Sequence, residues 1–522
     1  MSTTAVATEP AGSAQPPAPL MKGGITSFLG AAGSALLGFI LTVVLARTLG
    51  DSGSGVVLQA IAIFTIVLSF ARAGMDSAAV WIMPRLADHD TGQIRSALAV
   101  MFTATAGAGI LCGLGTFLLS PVLAASGDPH APDVGRAVAV VAWFIPVGAL
   151  LLVALSATRG LGGVLPYVTV GSIALPAVRP VVVGLLALGG GSVTVVALGW
   201  AAPLPLALAA AAAVLCVQVR RHERAGGVQG SLFAASPALR KTIWRYSAPR
   251  VISAALEQSV IWLDVLLVGI ISGSAAAGVY GGASRFVAAG LIVNTAIRIV
   301  VAPAFSRLLA QERKAETGVL YRTAATWLVL FGTPIYVILA LFAPVVLGLL
   351  GADFVRGSTA LSILCAGAVL TFMAGTIQSL LLMSGRSGWD AINKGVVLVI
   401  NVAGNLLLIP VMGIMGAAAT WAFSMLVDAA LAAIEVRKFL GISIEVRSVL
   451  YALLVPLVSV GIPAALVRLT LGATLMPMIL AIGVGGVILL VWCALERTRL
   501  HLDELVLLVR RRPAPTRSVV SP

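Results

Sequence analysis

The sequence predicts an all-α, polytopic membrane protein of about fourteen transmembrane helices, and three observations carry that prediction. First, its 522 residues are 59% hydrophobic and only 10% charged, with mean hydropathy +1.05. Soluble domains carry about 25% charged residues, so hydrocarbon must be the solvent of most of this chain. Second, apolar runs of spanning length, about 20 residues, recur with short connections. They fall near 25–46, 55–74, 96–120, 136–157, 165–187, 193–217, 247–271, 278–303, 323–346, 358–384, 390–410, 412–435, 448–468 and 473–494. Third, the connections sort by charge. One side holds Arg72, Arg85, Arg95, Arg159, Arg220, Arg221, Arg224, Arg240, Lys241, Arg245 and Arg307, among others. The other holds only Arg47, Arg136, Arg356 and Arg468.

Basic loops stay in the cytoplasm, and an even number of spans places both termini there. The formal net charge of +14 then follows from topology and contact with anionic membrane lipids, and no nucleic-acid partner is required. Residues 1–22 carry Ala, Pro, Ser and Thr without the basic start and apolar core of a signal peptide, and read as a disordered cytoplasmic tail. Residues 218–246 read as a basic cytoplasmic loop and 497–522 as a basic cytoplasmic tail. The four cysteines are scattered through apolar runs with no metal or disulfide spacing. No nucleotide-binding loop or metal-ligand cluster appears, so no cofactor is expected.

An internal repeat organises the spans. "LARTLGDSGSG" closes the first and "LVGIISGSAAAG" closes the seventh; "ALSATRGLGG" closes the fourth and "LLMSGRSGWD" the tenth. Each pair lies six spans apart. Two six-span halves follow, an N-lobe over 23–217 and a C-lobe over 247–438, with helices thirteen and fourteen over 439–496. Six is even, so the halves share an orientation. Transporters built from such repeats place their site near midplane, between the halves.

Four motifs in order resemble the bacterial polysaccharide flippases. "DVLLVGIISGSAAAGVYGGASRF", with Asp264, Gly269, Gly278, Tyr280, Ala283 and Arg285, is similar to their seventh-to-eighth-span signature. "ARTLGDSGSG", with Ala46, Arg47, Leu49, Gly50, Gly53 and Gly55, is similar to their first external turn, and "LLGADFVRGSTAL" and "NLLLIPVMGIMGAAAT" to later motifs. The resemblance covers roughly 24–495. It implies a V of two six-helix bundles around a central cavity, and a cargo of undecaprenyl-pyrophosphate-linked oligosaccharide moved from the cytoplasmic to the outer leaflet. A polysaccharide polymerase is the neighbouring machinery it implies.

A diphosphate cargo needs cationic donors, and arginine's planar fork suits phosphate oxygens. Arg179 stands between Pro176 and Pro180 in the fifth span, where a charge is costly and the prolines free backbone carbonyls. It is either a diphosphate contact or an arginine bonded to those carbonyls. Arg250, Glu257 and Asp264 are spaced by seven along the seventh span, with Ser253 on the same stripe. That spacing makes one polar face. Arg250 and Arg298 are candidate diphosphate contacts near the cytoplasmic mouth. Glu257, and Asp428 as a solitary carboxylate of the twelfth span, are candidates for proton or sodium coupling. Asp264 and Arg285 should lie at similar depth and form a structural salt bridge. Asn401 and Asn405 stand at i, i+4 and can hydrogen-bond a neighbouring helix.

Three other readings compete. A lipid II flippase shares the cargo chemistry, so cationic residues do not separate it. A cation-coupled multidrug antiporter would want an acidic pocket, whereas the first span has no carboxylate. A membrane polymerase or ligase would need catalytic groups, and the short external loops show no nucleophile–base pair; His130 stands alone in one of them.

Overall fold

A computed structural model describes residues 18–125, 127–227, 230–231, 235–500 and 502. The expected tails lie largely outside these; residues 18–22 already belong to the first helix. Among the described residues there is no strand. Thirteen helical stretches are long and apolar enough to cross a membrane. The first of them belongs to helix Ala18–Ala71, which is broken at Gly50 (φ 68°, ψ −168°). It supplies two crossings, 18–49 and 51–71, so there are fourteen among the described residues.

The remaining spans are Ile94–Ala124 (third), Ala131–Ala142 with Ile145–Gly162 (fourth), Tyr167–Ala174 with Leu175–Leu188 (fifth), and Val193–Ala201 with Pro203–Gly226 (sixth). Then come Pro237–Ser272 (seventh), Ser274–Gly290 with Ile292–Ala310 (eighth), Lys314–Leu341 (ninth), and Ser358–Phe372 with Ile377–Met383 (tenth). Ser387–Met412, Ile414–Leu440, Val446–Leu471 and Leu475–Leu495 complete the set. A helix outside the spans, Met75–His89, follows the second.

Neighbour contacts give directions. Gly30 lies against Val168 and Ser172, and Gly184 against Val44, so the first and fifth spans run parallel. Gly148 of the fourth span meets Phe64 and Leu68 of the second, and Gly160 meets Met83 of the helix that follows it.

Prolines shape the spans as their missing donors require. Upstream of Pro176 and Pro180 the fifth span is π-helical over Tyr167–Ala174. The thirteenth does the same over Leu457–Gly461, between Pro456 and Pro463. The stretch 218–246, expected as a loop, is mostly helical. The sixth span runs on to Gly226, and the seventh begins at Pro237 behind Ser236, whose hydroxyl accepts from the Leu239 N–H at 3.1 Å. Hydropathy marks where a helix leaves the membrane; caps mark where it ends.

The connections share one backbone device. Left-handed or otherwise positive φ occurs in the connection after each of the first six spans: Gly50, Gly74, Gly127, Gly163, Gly190 and Gly227. It occurs likewise after each of the next seven, at Gly273, Glu312, Gly351, Gly385, Gly413, Gly441 and Gly472. Gly50 and Gly273, like Gly163 and Gly472, combine it with a nearly extended ψ (−168° and 166° at the first two), open at positive φ almost solely to glycine.

Packing separates along the chain. One buried core runs from Leu45 to Ile243, and a second from Val265 to Ala452 with Ala46 and Leu58 joining it from the first two spans. Spans thirteen and fourteen pack on the ninth through Ile338, Phe342, Val460, Ala464 and Ala481. Outward, Leu111, Leu118, Leu119, Leu469, Met476 and Leu490 stay exposed, as surface that meets lipid tails does.

Candidate functional site

Arg179 lies in the fifth span with its guanidinium 4.0 Å over the Trp200 ring, and its Nε donates to the Trp200 carbonyl at 3.1 Å. That carbonyl sits at the break between Val193–Ala201 and Pro203–Gly226. The freed acceptor therefore belongs to the sixth span rather than to the arginine's own proline-bearing helix. Arg285, in the eighth span, lies 4.1 Å over the Trp262 ring. Among the described residues no carboxylate pairs with either arginine.

The expected Asp264–Arg285 salt bridge does not form. Trp262 and Asp264 are two residues apart on one helix, roughly 200° around its axis. Arg285 docks on the tryptophan's side and Asp264 faces away from it. Depth can also be read. The contacts of Gly30 and Gly184 place Arg179 level with Phe39 of the first span, and Phe39 packs on Phe286 with ring centroids 4.9 Å apart. Arg179 and Arg285 therefore stand at one depth, drawn from the two halves of the chain.

Asp264 is buried. It accepts from the Tyr280 hydroxyl at 3.2 Å and from Asn405 Nδ2 at 2.7 Å, and Asn405 Nδ2 also donates to Asn401 Oδ1 at 3.0 Å. The i, i+4 asparagines thus bond a neighbouring helix as their spacing predicts, and the neighbour is the seventh span's carboxylate. Asn405 Oδ1, Asn401 Nδ2, Thr420 Oγ1 and Ser424 Oγ are buried without a protein partner. No basic residue faces Asp264 among the described residues. A carboxylate taken out of water needs a countercharge or a proton, and the orphaned Asn405 amide oxygen and the Thr420 hydroxyl, which packs on the neighbouring Gly404, are of the type that a hard cation takes.

The stripe of the seventh span divides by depth: Asp264 is sealed by the eighth and eleventh spans, while Arg250 and Glu257 are exposed, as is Arg298. Asp428 is not solitary. Its Oδ2 binds Lys394 Nζ at 2.5 Å and also accepts from Gln378. Asp390 lies within electrostatic reach of Lys394, Asp428, Glu257 and Arg298, so these five charges share one region. Asn393 donates to the buried Glu435 at 2.9 Å beside them.

At the end opposite the basic loops, polar contacts tie the two halves together. Arg356 pairs with Asp51 at 2.5 Å, and Arg47 Nε donates to the Leu349 carbonyl at 2.8 Å. Asp128 accepts from the Ser274 N–H at 3.0 Å and its hydroxyl at 2.6 Å. Gly55 and Gly278 allow the second and eighth spans to meet backbone to backbone at Ser274 and Asp51. Sequence reasoning missed Asp128, Ser274 and the tryptophans that carry the arginines; only the small residues of the turns hinted at this approach.

A fourteen-span helical bundle with two successive cores, arginines held at depth without a carboxylate and a buried aspartate among amides defines a polytopic membrane transporter. Solved structures agree on the fold. The lipid II flippase MurJ in an inward closed conformation superposes with a TM-score of 0.71 over 92% of this chain and 99% of that one, at 14% identity. An inward-facing multidrug resistance MATE transporter of the MOP superfamily gives 0.64 over 80% and 98%, at 15% identity. Residues 20–309 match the model of the family described as "Polysaccharide biosynthesis protein", and the chain belongs to that family. The probable low-salt glycan biosynthesis flippase Agl15 of Haloferax volcanii is 23% identical over 223 residues, 42% of this chain. The match spans 47% of that relative's length.

Proposed function

We propose that the protein flips an undecaprenyl-pyrophosphate-linked oligosaccharide from the cytoplasmic to the outer leaflet of a bacterial cytoplasmic membrane, by alternating access, for cell-surface polysaccharide synthesis. The observation that carries this reading is the pair Arg179 and Arg285. Stacking on an indole holds a guanidinium flat while leaving most of its N–H edge free. One such fork from each half, at one depth and without a carboxylate, suits a diphosphate that both halves must hold in turn. Arg250 and Arg298 supply further positive charge toward the basic end. That end is the cytoplasmic one by the distribution of arginine and lysine, which puts both termini in the cytoplasm.

Coupling is assigned to a sodium ion at Asp264, with Asn405 Oδ1 and Thr420 Oγ1 as the oxygen donors at hand. This is deeper than Glu257, where the sequence alone would place it. The family and its glycan-flippase relative support a saccharide cargo, and the arginines favour an anion over the cations of drug antiporters. Lipid II is the second cargo of the same chemistry.

The test is a deletion strain complemented with wild type, Arg179→Ala or Arg285→Ala at matched membrane levels, with lipid-linked saccharides quantified on the cytoplasmic leaflet. Accumulation in the deletion and in both variants is expected, and the accumulated species names the cargo. No accumulation in a deletion lacking redundant transporters would sink the flippase reading.

A further inference from the structure

The Asp264 cluster is one end of a longer feature. Three cross-contacts fix how the eleventh and twelfth spans lie against each other: Leu408 meets Gly416, Gly404 meets Thr420, and Lys394 meets Asp428. In that antiparallel register Ser424 falls level with Asn401, between the Thr420–Asn405 level and the Lys394–Asp428 level. Thr420, Ser424 and Asp428 stand at i, i+4 and i+8, one face of a helix, and all three are at most 3% exposed. Each carries a buried oxygen without a protein partner: Thr420 Oγ1, Ser424 Oγ and Asp428 Oδ1. Asn401 and Asn405, both fully buried, face them with an orphaned nitrogen and an orphaned oxygen.

Buried polar atoms in native proteins are almost always partnered, and a stray one is costly. Five in file, running about 12 Å at 1.5 Å per residue between Thr420 and Asp428, are not a packing accident. Among the described residues the one other buried polar pair between these helices, Asn393 with Glu435, is hydrogen-bonded, so the orphaned atoms are confined to the file. At the basic end of the file stands a lysine whose ammonium already occupies the carboxylate: the Lys394 side chain is 24% exposed and that of Asp428 is 2% exposed.

We propose that this file is the route by which sodium moves between Asp264 and the basic end of the second half, and that Lys394 closes it. The Lys394 ammonium is a tethered cation. It neutralises Asp428 while the route is idle and must swing aside for a free cation to pass, so that one charge replaces another and the carboxylate is never left bare. The proposal rests on the sodium reading of Asp264 made above.

The test uses the purified full-length protein in proteoliposomes, with sodium-dependent thermal stabilisation for affinity and radiosodium exchange for rate. Ser424→Val puts methyl groups into the file. It is expected to keep the sodium affinity within about threefold and to slow exchange at least tenfold. Lys394→Met removes the tethered charge and is expected to speed exchange several-fold; it also covers the case in which Ser424→Val does not fold. Wild-type exchange rates in either folded variant would overturn the route. Asp264→Asn separates the two claims: if it binds sodium as wild type does, the site at Asp264 falls, whereas a loss of binding there with unchanged exchange in the other variants condemns the route alone.

Discussion

At the scale of single residues, this protein solves the problem of charge in hydrocarbon in two ways. Arg179 and Arg285 rest on indole faces, while Asp264 gathers a phenol and an amide. A desolvated cation–π contact is worth about 0.5–2 kcal/mol, which offsets part of the burial cost without using up the guanidinium's donors. Arg179→Lys keeps the charge but loses the flat fork, so complementation should fall between wild type and Arg179→Ala in the saccharide-accumulation assay. Asp264→Ala leaves the Tyr280 hydroxyl and Asn405 amide short of an acceptor, at about 1–3 kcal/mol, and its melting temperature should drop. Asp264→Asn should melt near wild type yet gain nothing from sodium, where wild type gains about 2.7 kcal/mol at one hundred times its Kd. The sequence flags these residues because charge is rare in apolar runs. It does not name their partners: Trp200 is 21 positions from Arg179 and comes to it only through the packing of two spans. Asp264 and Arg285 illustrate the limit, since depth can be counted along a helix but the side occupied by a neighbour cannot.

Helices are where most of the fold was legible. Apolar runs locate every span, and proline positions predict distortion in the fifth, though not that a π-helical stretch upstream would absorb it. The missed continuation of the sixth and seventh spans past the membrane has a local signature after all: a glycine in left-handed conformation at 227 and a Ser-Pro cap at 236–237. Close approach of helices is the harder matter. A methyl at Gly278 would collide with the Asp51 carbonyl oxygen, which is backbone and has little room to yield. Gly278→Ala should lower the melting temperature by several degrees and reduce membrane levels on an immunoblot. Gly388→Ala, at a position with nothing near a would-be Cβ, should be silent in both.

For the molecule as a whole, the successive cores mark two bodies along the chain, joined at one end by Asp51–Arg356, Arg47–Leu349 and Asp128–Ser274. Removing both carboxylates, Asp51→Ala with Asp128→Ala, should loosen that end; a cysteine placed beside it should be alkylated several-fold faster than in the parent. The boundary between the bodies is not where the apolar runs divide. Ala235, Leu239 and Ile243 are buried in the first core although they precede or open the seventh span, and Tyr246 stacks on Trp81 at 4.6 Å with the rings 12° from parallel. The second body therefore reaches back and grips the first with its leading helix. Cut between residues 227 and 236 and expressed as two polypeptides, the pieces carry their own means of finding each other. They should copurify through a tag on one of them and restore function together. A second fragment that starts at residue 250, shorn of that grip, should not.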